Sequence, residues 1–573
     1  VTATVDLLSL ARGLVRNLPR VPGQLLAIPS ALRADPDRYG GIGDLVARNA
    51  RRWPFRAALL FEDERWSWRR LDRAADRYAR ALSRGGVGPG DAVPILSANR
   101  PELLVAVVAL AKIGAVAAPL NPGLPAAALE ALVPAGSQLI CEPGRALSGR
   151  RGWALVRPGE DCPPGYDDPG AGGFAQPLQR AVRLGEPALH VFTSGTTGFP
   201  KASVMTHLRW RRAATLYGRI LVGLRRGDVV YCPLPLFHNL ALTAAFGGVV
   251  VTGTTLALAD GFSASRYWAD VRRFDATVLP YIGEVPRYLL ARPPGAGDRD
   301  HRVRAAFGVG MPRDCWAEFQ RRFGVASVFE SYAASEGNTG FFNVFDQTGS
   351  VGFCPTPHAI VRYDVQRGEI VTDGQGRPVR ARRGETGLLL GKVTPRFDFD
   401  GYTDPEATER KVRRDVFRRG DAWFDSGDLL TNLGWRHAAF ADRIGDTFRW
   451  KSENVSTLQV EDALGAAGVE ACVVYGVEVP GMPGRAGMAA VVGESWEPGE
   501  LLAALQAALP APAIPVFLRR VAALETTGTF KKRKAGLQAE GYGGDGALVL
   551  RGGRYEELDA ELRAALAAGD LRL

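Results

Sequence analysis

The residues from Thr193 to Lys201 run Thr193, Ser194, Gly195, Thr196, Thr197, Gly198, Phe199, Pro200, Lys201. Four hydroxyls and a series of backbone N–H groups can bond phosphate oxygens, and Lys201 adds positive charge. Gly195 and Gly198 let the backbone approach a ligand that a Cβ would repel. The stretch therefore reads as a cradle for a polyphosphate. It is not a Walker A loop, because the Gly-Lys-Ser/Thr ending is absent. An apolar run at 188–192 leads into it and reads as a buried strand. The bland alternative is a polar turn between a strand and a helix.

This loop resembles the phosphate-binding signature of the adenylate-forming superfamily: acyl-CoA synthetases, luciferases and peptide-synthetase adenylation domains. Further motifs follow in that superfamily's order. Pro235-Leu236-Phe237-His238 matches its Pro-x-x-His element, and the resemblance puts His238 on the path of the acyl carboxylate. A lone histidine would more often be structural, so the order of motifs carries this reading. Residues 278–284 and 287–290 are similar to a stretch of the fatty-acid transport protein / very-long-chain acyl-CoA synthetase branch. That stretch borders the acyl pocket, which implicates Tyr281 and Gly283. Gly308-Val309-Gly310 resembles the small-residue turn beside adenine.

Ser331 to Asn338 carries an aromatic, a small residue, a hydroxyl and an acid at the superfamily's spacing. The resemblance has Tyr332, next to Ala333, stack on adenine and Ser335 reach the α-phosphate. Glu336, with Thr193, would ligate Mg²⁺; a hard carboxylate oxygen suits a magnesium shared with phosphates. The alternative is a glutamate on a solvated loop. Asp428, in Phe424-Asp425-Ser426-Gly427-Asp428, falls where relatives hold both ribose hydroxyls, and a carboxylate can accept two such bonds. In Asp442-Arg443-Ile444-Gly445-Asp446, Arg443 is implied to bond ribose or phosphate. Gly445 takes the hinge position, where glycine suits a backbone that must swing.

Lys451, Ser452 and Glu453 continue the branch's pattern beside the pantetheine arm of CoA, with Ser452 where the family has glycine. The basic run at 531–534 would, by itself, read as a solvated face or a nucleic-acid patch. It matches the superfamily's C-terminal lysine motif, with Lys531 as the adenylation lysine, Lys534 three residues on and Leu537 six on.

The resemblance covers roughly residues 41–573. It implies an α/β protein: a large N-terminal layered α/β adenylation domain, 37–441, and a small mobile C-terminal α+β domain, 442–573, after an N-terminal segment, 1–36. The implied reaction converts ATP, a fatty acid and CoA to acyl-CoA, AMP and pyrophosphate through an acyl-adenylate. Lys531, Glu336 and Lys201 would carry the first half, with Mg²⁺ neutralising the phosphates. The small domain would then pivot near Gly445 for the CoA step. Three alternatives stay open: ligation of another lipid carboxylate such as a sterol or bile-acid side chain, transfer of acyl-AMP to a carrier protein, and a fatty-acid uptake protein.

The elements that must position these residues alternate. Helices read at 45–53 and 102–113, strands at 57–61, 93–97, 115–120 and 228–235. This alternation argues for a layered α/β architecture. Pro94 points to a sheet edge or a strand start. Residues 142–186, rich in Gly, Pro and Arg, read as surface loop. Strands at 471–477 and 488–492 and a helix at 501–509 make up a small second domain.

Composition adds bounds. The chain has 573 residues, a net charge of +10 and six cysteines without CxxC spacing, which points to a reducing compartment. Basic residues are mostly arginine, with eight lysines; GC-rich bacterial codon bias accounts for this without a nucleic-acid partner. At the N-terminus, Val5, Leu8, Ala11, Val15 and Leu18 recur at helical spacing, with Arg12 and Arg16 on another face. This helix either lies on an anionic membrane surface or packs on the body. No apolar run is long enough to span a bilayer, and no signal-peptide pattern is visible. The expectation is a cytoplasmic protein, peripheral at the inner face of the cell membrane.

Overall fold

The computed structural model describes residues 5–18, 23–24, 27–29, 35–145, 147–155, 180–193, 200–365, 367–451, 453–482, 484–493, 496–528 and 532–569. Three large sheets organise it. One runs, in spatial order, Arg151–Ala154, Gln138–Cys141, Ala92–Leu96, Val116–Leu120, Pro187–Thr193, Lys201–Thr206. Its first five strands are parallel and its last pair antiparallel. The strand Arg151–Ala154 falls inside the stretch read from sequence as loop. It buries Trp153 and pairs with Gln138–Cys141, so four residues suffice where a neighbour supplies the ladder.

The second sheet is longer. Its central strands Ser327–Ala333, Ala305–Val309, Val278–Ile282, Val229–Cys232 and Thr255–Leu258 are parallel, and antiparallel strands extend it through Ala422–Gly434 and His437–Arg443. Parallel strands need crossovers and both faces covered, which explains their continuous burial. The helix Pro101–Ile113 shows the same logic: all its residues are buried, so it is apolar all round. Pro101 opens it and Gly114, at φ +75°, caps it in the left-handed region. Its one cation, Lys112, is buried against Asp72 at 2.6 Å and Asp76 at 2.5 Å from the helix Trp68–Arg84.

Pro94 lies inside an internal strand, not at an edge. Asp91 O accepts from Val116 N on one side and Leu96 O from Glu142 N on the other. Side alternates with residue along a strand, so Pro94 faces the Gln138–Cys141 neighbour, where pairing begins at Ile95. By that register Leu139 and Gln138 lie beside Pro94 and Val93, so the proline's missing N–H leaves one rung to this neighbour unmade while the rest of the strand stays paired on both sides.

A separate core begins at Phe448, with Trp450, Val473, Met488 and Phe517 around a five-stranded sheet, Ala471–Val477 to Arg554–Glu557. The preceding strand His437–Arg443 still belongs to the large sheet. The chain thus passes between two cores across residues 444–447.

The helix Leu7–Asn17 docks on the large body. Val5 packs with Leu433 and Ala439, and Leu10 lies against them. A Cβ at Gly13 would strike Phe345 O, and Asn17 Nδ2 donates to Val344 O at 2.7 Å. Leu8, Val15 and Leu18 are instead 61%, 64% and 56% exposed. The apolar stripe read from periodicity is, apart from Val5, the outer face. Close approach at a glycine and one amide bond anchor the inner face.

Candidate active site

A cleft of about 2170 Å³ opens beside the ends of the central parallel strands, and the small domain contributes to its wall. In open α/β sheets, ligands bind in the crevice at such strand ends. The volume exceeds the roughly 300–1,000 Å³ of a drug-sized pocket. The cleft therefore has room for a nucleotide and a second substrate together.

At one end, the hairpin Pro187–Thr193/Lys201–Thr206 brings Thr193 opposite Lys201. Both line the cleft. Ser194, Gly195, Thr196, Thr197, Gly198 and Phe199, the phosphate-cradle candidates between them, lie outside the described residues. Across the cleft, the strand Ser327–Ala333 ends in Tyr332 and Ala333 and delivers Ser335 and Glu336; all four line the cleft. The Tyr402 hydroxyl donates to Glu336 Oε1 at 2.9 Å. Arg209 Nη2 donates to the carbonyls on both sides of Glu336, Ser335 O at 2.5 Å and Gly337 O at 2.6 Å. Ser203 Oγ also donates to Ser335 O. The glutamate's backbone is thus held from both sides, and its carboxylate from one.

Asp428 faces Arg443 across the antiparallel pair Ala422–Gly434/His437–Arg443, with Oδ1 3.7 Å from Arg443 Nε. Its Oδ2 accepts from the Tyr332 hydroxyl at 2.6 Å. Burial raises the Asp428 carboxyl, against the pull of Arg443 and that hydroxyl. The Tyr332 ring stacks on Phe440, centroids 5.9 Å apart. The aromatic motif residue and the ribose-holding candidate form one hydrogen-bonded unit, a link no motif announces.

The adenine-turn candidates divide. Gly310, at φ +79°, lines the cleft. Gly308 is buried; a Cβ there would strike Tyr281 O, so close strand packing requires the glycine. Glu330 fixes the turn: its carboxylate accepts from Gly310 N, from Met311 N at 3.1 Å and from the Tyr281 hydroxyl. Burial pushes the Glu330 carboxyl up to about 7. Tyr281, read from sequence as a substrate residue, is 2% exposed and committed to Glu330. It stands behind the cleft wall, where Ile282, Gly283 and Glu284 are the lining.

His238 lines the cleft, and its Nδ1 accepts from Leu240 N at 3.2 Å, which leaves the proton of the neutral ring on Nε2. Asn99 holds the approach to it: Oδ1 accepts from Leu236 N and Nδ2 donates to Leu234 O, both at 2.8 Å. The lining also has an apolar part, with Leu208, Leu216, Leu240 and Ala244. These come from the helix His207–Thr215 and two π-helical segments, Leu216–Leu221 and Leu240–Phe246. A glycine lets the first π-helical segment approach the helix Gly247–Thr252: a Cβ at Gly218 would sit 2.8 Å from Gly248 Cα. π-Helical turns are frequent at functional sites.

Gly445 lines the cleft near Arg443, and a Cβ there would meet nothing within 4 Å. Lys451, at φ +46°, and Glu453 are exposed and not part of the lining, and Ser452 lies outside the described residues. So does Lys531, although its neighbours Thr527, Gly528 and Lys532 line the cleft. Among the described residues no group of three or more His, Cys, Asp or Glu could hold a metal ion. A Mg²⁺ here would draw most of its ligands from phosphate and water, as magnesium at phosphoryl sites does. Arg209, Tyr402, Glu330 and Asn99 were not singled out by sequence reasoning. They lie outside the motifs or just beside them, and partners far along the chain give them meaning.

These are the parts of a nucleotide site, and the family model for AMP-binding enzymes matches residues 46–390. The chain belongs to the AMP-binding enzyme family. It is 42% identical over 561 residues to the medium/long-chain-fatty-acid–CoA ligase FadD6 of Mycobacterium tuberculosis, covering 95% of this chain and 93% of that protein. It is 38% identical to long-chain fatty acid transport protein 2 of Rattus norvegicus, covering 86% and 84%. Among solved structures, the anthranilate CoA ligase AuaEII in complex with anthranoyl-AMP shares the fold, with TM-score 0.74 and 20% identity over 87% of this chain and 97% of that one.

Proposed function

We propose that this protein is an AMP-forming ligase that activates medium- or long-chain fatty acids with ATP and transfers them to CoA. One observation carries the reading. A single cleft is lined both by polar groups, Lys201, Glu336, Tyr332 and Asp428, and, with His238, by the apolar side chains of Leu208, Leu216, Leu240 and Ala244. The relationship to FadD6 supports the same chemistry.

In the first half-reaction a carboxylate oxygen attacks the α-phosphorus of ATP and pyrophosphate leaves. Two anions must meet, so catalysis is alignment and charge neutralisation. Glu336, with Thr193, would hold Mg²⁺, which when bound neutralises phosphate charge. Lys201 faces the polyphosphate with its loop. Lys531, assigned through the family motif, bridges carboxylate and α-phosphate. Asp428 and Arg443 fix the ribose, Tyr332 and the Gly310 turn the adenine. Glu330 keeps that turn in shape. His238 borders the carboxylate, and the apolar part of the lining takes the chain. In the second half-reaction the CoA sulfur attacks the acyl carbonyl carbon. The bond to AMP breaks, AMP keeps the electron pair, and the thiol proton passes to water. Pivoting near Gly445 would withdraw Lys531 and bring residues 451–453 to the pantetheine arm.

The exposed stripe of Leu8, Ala11, Val15 and Leu18, with Arg12 beside it, favours peripheral contact with an anionic bilayer at the inner face of the cell membrane. Among the described residues no helix is long and apolar enough to cross one. Leu8→Glu with Val15→Glu should weaken binding to anionic vesicles and leave ligation of a short soluble acid intact. Unchanged vesicle binding would remove this helix from any membrane role.

The function is tested by acid-dependent pyrophosphate exchange, with and without CoA, across a panel of free acids, followed by mass spectrometry of the product. Long-chain acyl-CoA is expected. Exchange with a different carboxylate class, or no acyl-CoA, would overturn the reading.

A further inference from the structure

A chain of buried charges joins the two cores. On the large body, Glu284 follows the strand Val278–Ile282 at the cleft wall. Its Oε2 accepts from Arg287 Nε at 3.0 Å, and Arg287 grips Asp314 with both terminal nitrogens, at 2.7 and 3.0 Å. On the small domain, Glu461 projects from the helix Thr457–Ala466. Lys532 lies between the two bodies. Its ammonium is 3.2 Å from Glu284 Oε1 and 3.2 Å from Glu461 Oε2, and all three side chains are 14% exposed or less. Shape fits as well as charge: a Cβ at Gly465 would sit 2.5 Å from Asp314 Oδ2.

Lys532 also closes a hairpin. It pairs with Thr526 in an isolated bridge, and Arg533 N donates to Glu525 O at 2.9 Å. The near side of that hairpin enters the cleft. A Cβ at Gly528 would be 3.1 Å from Asn121 Nδ2 and 3.4 Å from the Phe237 ring. Lys531 immediately precedes Lys532 in the chain.

We infer that Lys532 and Glu284 are positioning residues for the adenylation half-reaction: their ion pair holds Lys532, and with it the paired residues Thr526–Gly528, in the cleft. The inference rests on the ligase reading for its kinetic consequence. The ammonium bridges the two bodies and would have to leave Glu284 for the small domain to turn. The pair therefore favours one arrangement of the domains, and breaking it lowers the population competent for the first step. The thioester step does not need the hairpin in the cleft.

Glu284→Gln is the clean variant. Lys532 keeps Glu461 and Arg287 keeps Asp314, so no buried charge loses its last partner. In the full-length protein, acid-dependent pyrophosphate exchange should fall by about ten- to a hundredfold, the usual size of a coupling between two states. Single-turnover acyl-CoA formation from supplied acyl-adenylate and CoA should be unchanged or faster. Adding Lys532→Gln to Glu284→Gln should cost no more than Lys532→Gln alone, because the two share one bond. Equal loss in both half-reactions, or full exchange activity in Glu284→Gln, overturns the inference. Failure of the wild-type protein to catalyse any exchange would instead overturn the ligase reading. Independently of substrate, the Arg533 amide should exchange with solvent faster in Glu284→Gln than in wild type. Unaltered protection there refutes the pin by itself.

Discussion

Arg209→Lys separates geometry from charge at the glutamate proposed to hold the metal. Arg209 sits on the helix His207–Thr215 and donates to Ser335 O, Gly337 O and Val204 O, with Asp400 at 4.0 Å. Burial lowers its pKa, yet an arginine remains charged in proteins. Lysine preserves that charge and most of the length. It cannot reproduce a planar fork that reaches the two carbonyls flanking Glu336 at once. At least one charge-assisted bond is lost, worth roughly 1.5–3 kcal/mol. If that energy is felt where Glu336 meets its load, the rate falls by about ten- to 150-fold, at 1.36 kcal/mol per decade. The assay is pyrophosphate exchange at saturating acid with Mg²⁺ and ATP varied, alongside a thermal melt. Slower exchange, raised metal demand and a nearly unchanged melting temperature are expected. Wild-type exchange would refute the claim that the arginine aligns Glu336. A large drop in melting temperature with proportionate loss of both half-reactions would assign it to folding instead.

Three further outcomes follow from the same geometry. Glu336→Gln should keep the fold, since the Tyr402 hydroxyl can still donate to the amide oxygen, and lower adenylation by orders of magnitude, because it removes the charge proposed to hold the metal; exchange at the wild-type rate would sink the assignment. Gly445→Ala should be nearly silent, since a Cβ there meets nothing within 4 Å, whereas Gly445→Pro should form adenylate and then stall as the hinge stiffens; burst kinetics of AMP and acyl-CoA read the difference, and equal behaviour of the two variants would discard the hinge. Glu330, raised from an ordinary 4.5 to about 7, keeps a proton in the folded state that the unfolded chain loses, so this contribution is complete below pH 4.5 and is lost as pH rises through 7. That is roughly 3 kcal/mol at 1.36 kcal/mol per unit; Glu330→Gln should flatten the decline in melting temperature between pH 5 and pH 8, and an unchanged slope would assign the decline to other groups.

Much of the candidate site was legible because its motifs are local in sequence. Thr193, Lys201, Tyr332, Ser335, Glu336, Asp428 and Arg443 each sit in a short motif, and all line one cleft. The alternation of strands and helices was legible for the same reason, since hydrophobic period is a local property. The errors came where a distant partner decides. Pro94 reads as an edge residue or a strand start until the neighbours on both sides of its strand are known. Residues 151–154 read as loop until Gln138–Cys141 offers a ladder. Tyr281 sits in a stretch that borders the cleft, but its side chain alternates to the other face and meets Glu330. The N-terminal helix reads either as a membrane-surface helix or as one packed on the body. Periodicity found a real apolar stripe and could not say which face the body would take; a glycine and an asparagine took the other one.

The residues that sequence reading missed share a physical character. Arg209, Tyr402, Glu330 and Glu284 act on backbone groups or on other charges, not on a substrate directly. Their worth depends on what they hold, so no residue type or spacing marks them. Each sits where a motif residue would otherwise be free to move. Tyr402 and Arg209 confine Glu336 from three directions, and Glu330 draws two N–H groups of the Gly310 turn onto one carboxylate. Lys532 does the same between bodies. Misplacement of about 1 Å can cost on the order of a hundredfold in rate. A chain that must first bring two anions together and later release the same contacts needs such holders to be strong within each body. Between bodies the holder must be breakable. Arg209 makes three bonds within one body, while Lys532 reaches the large body at the Glu284 carboxylate.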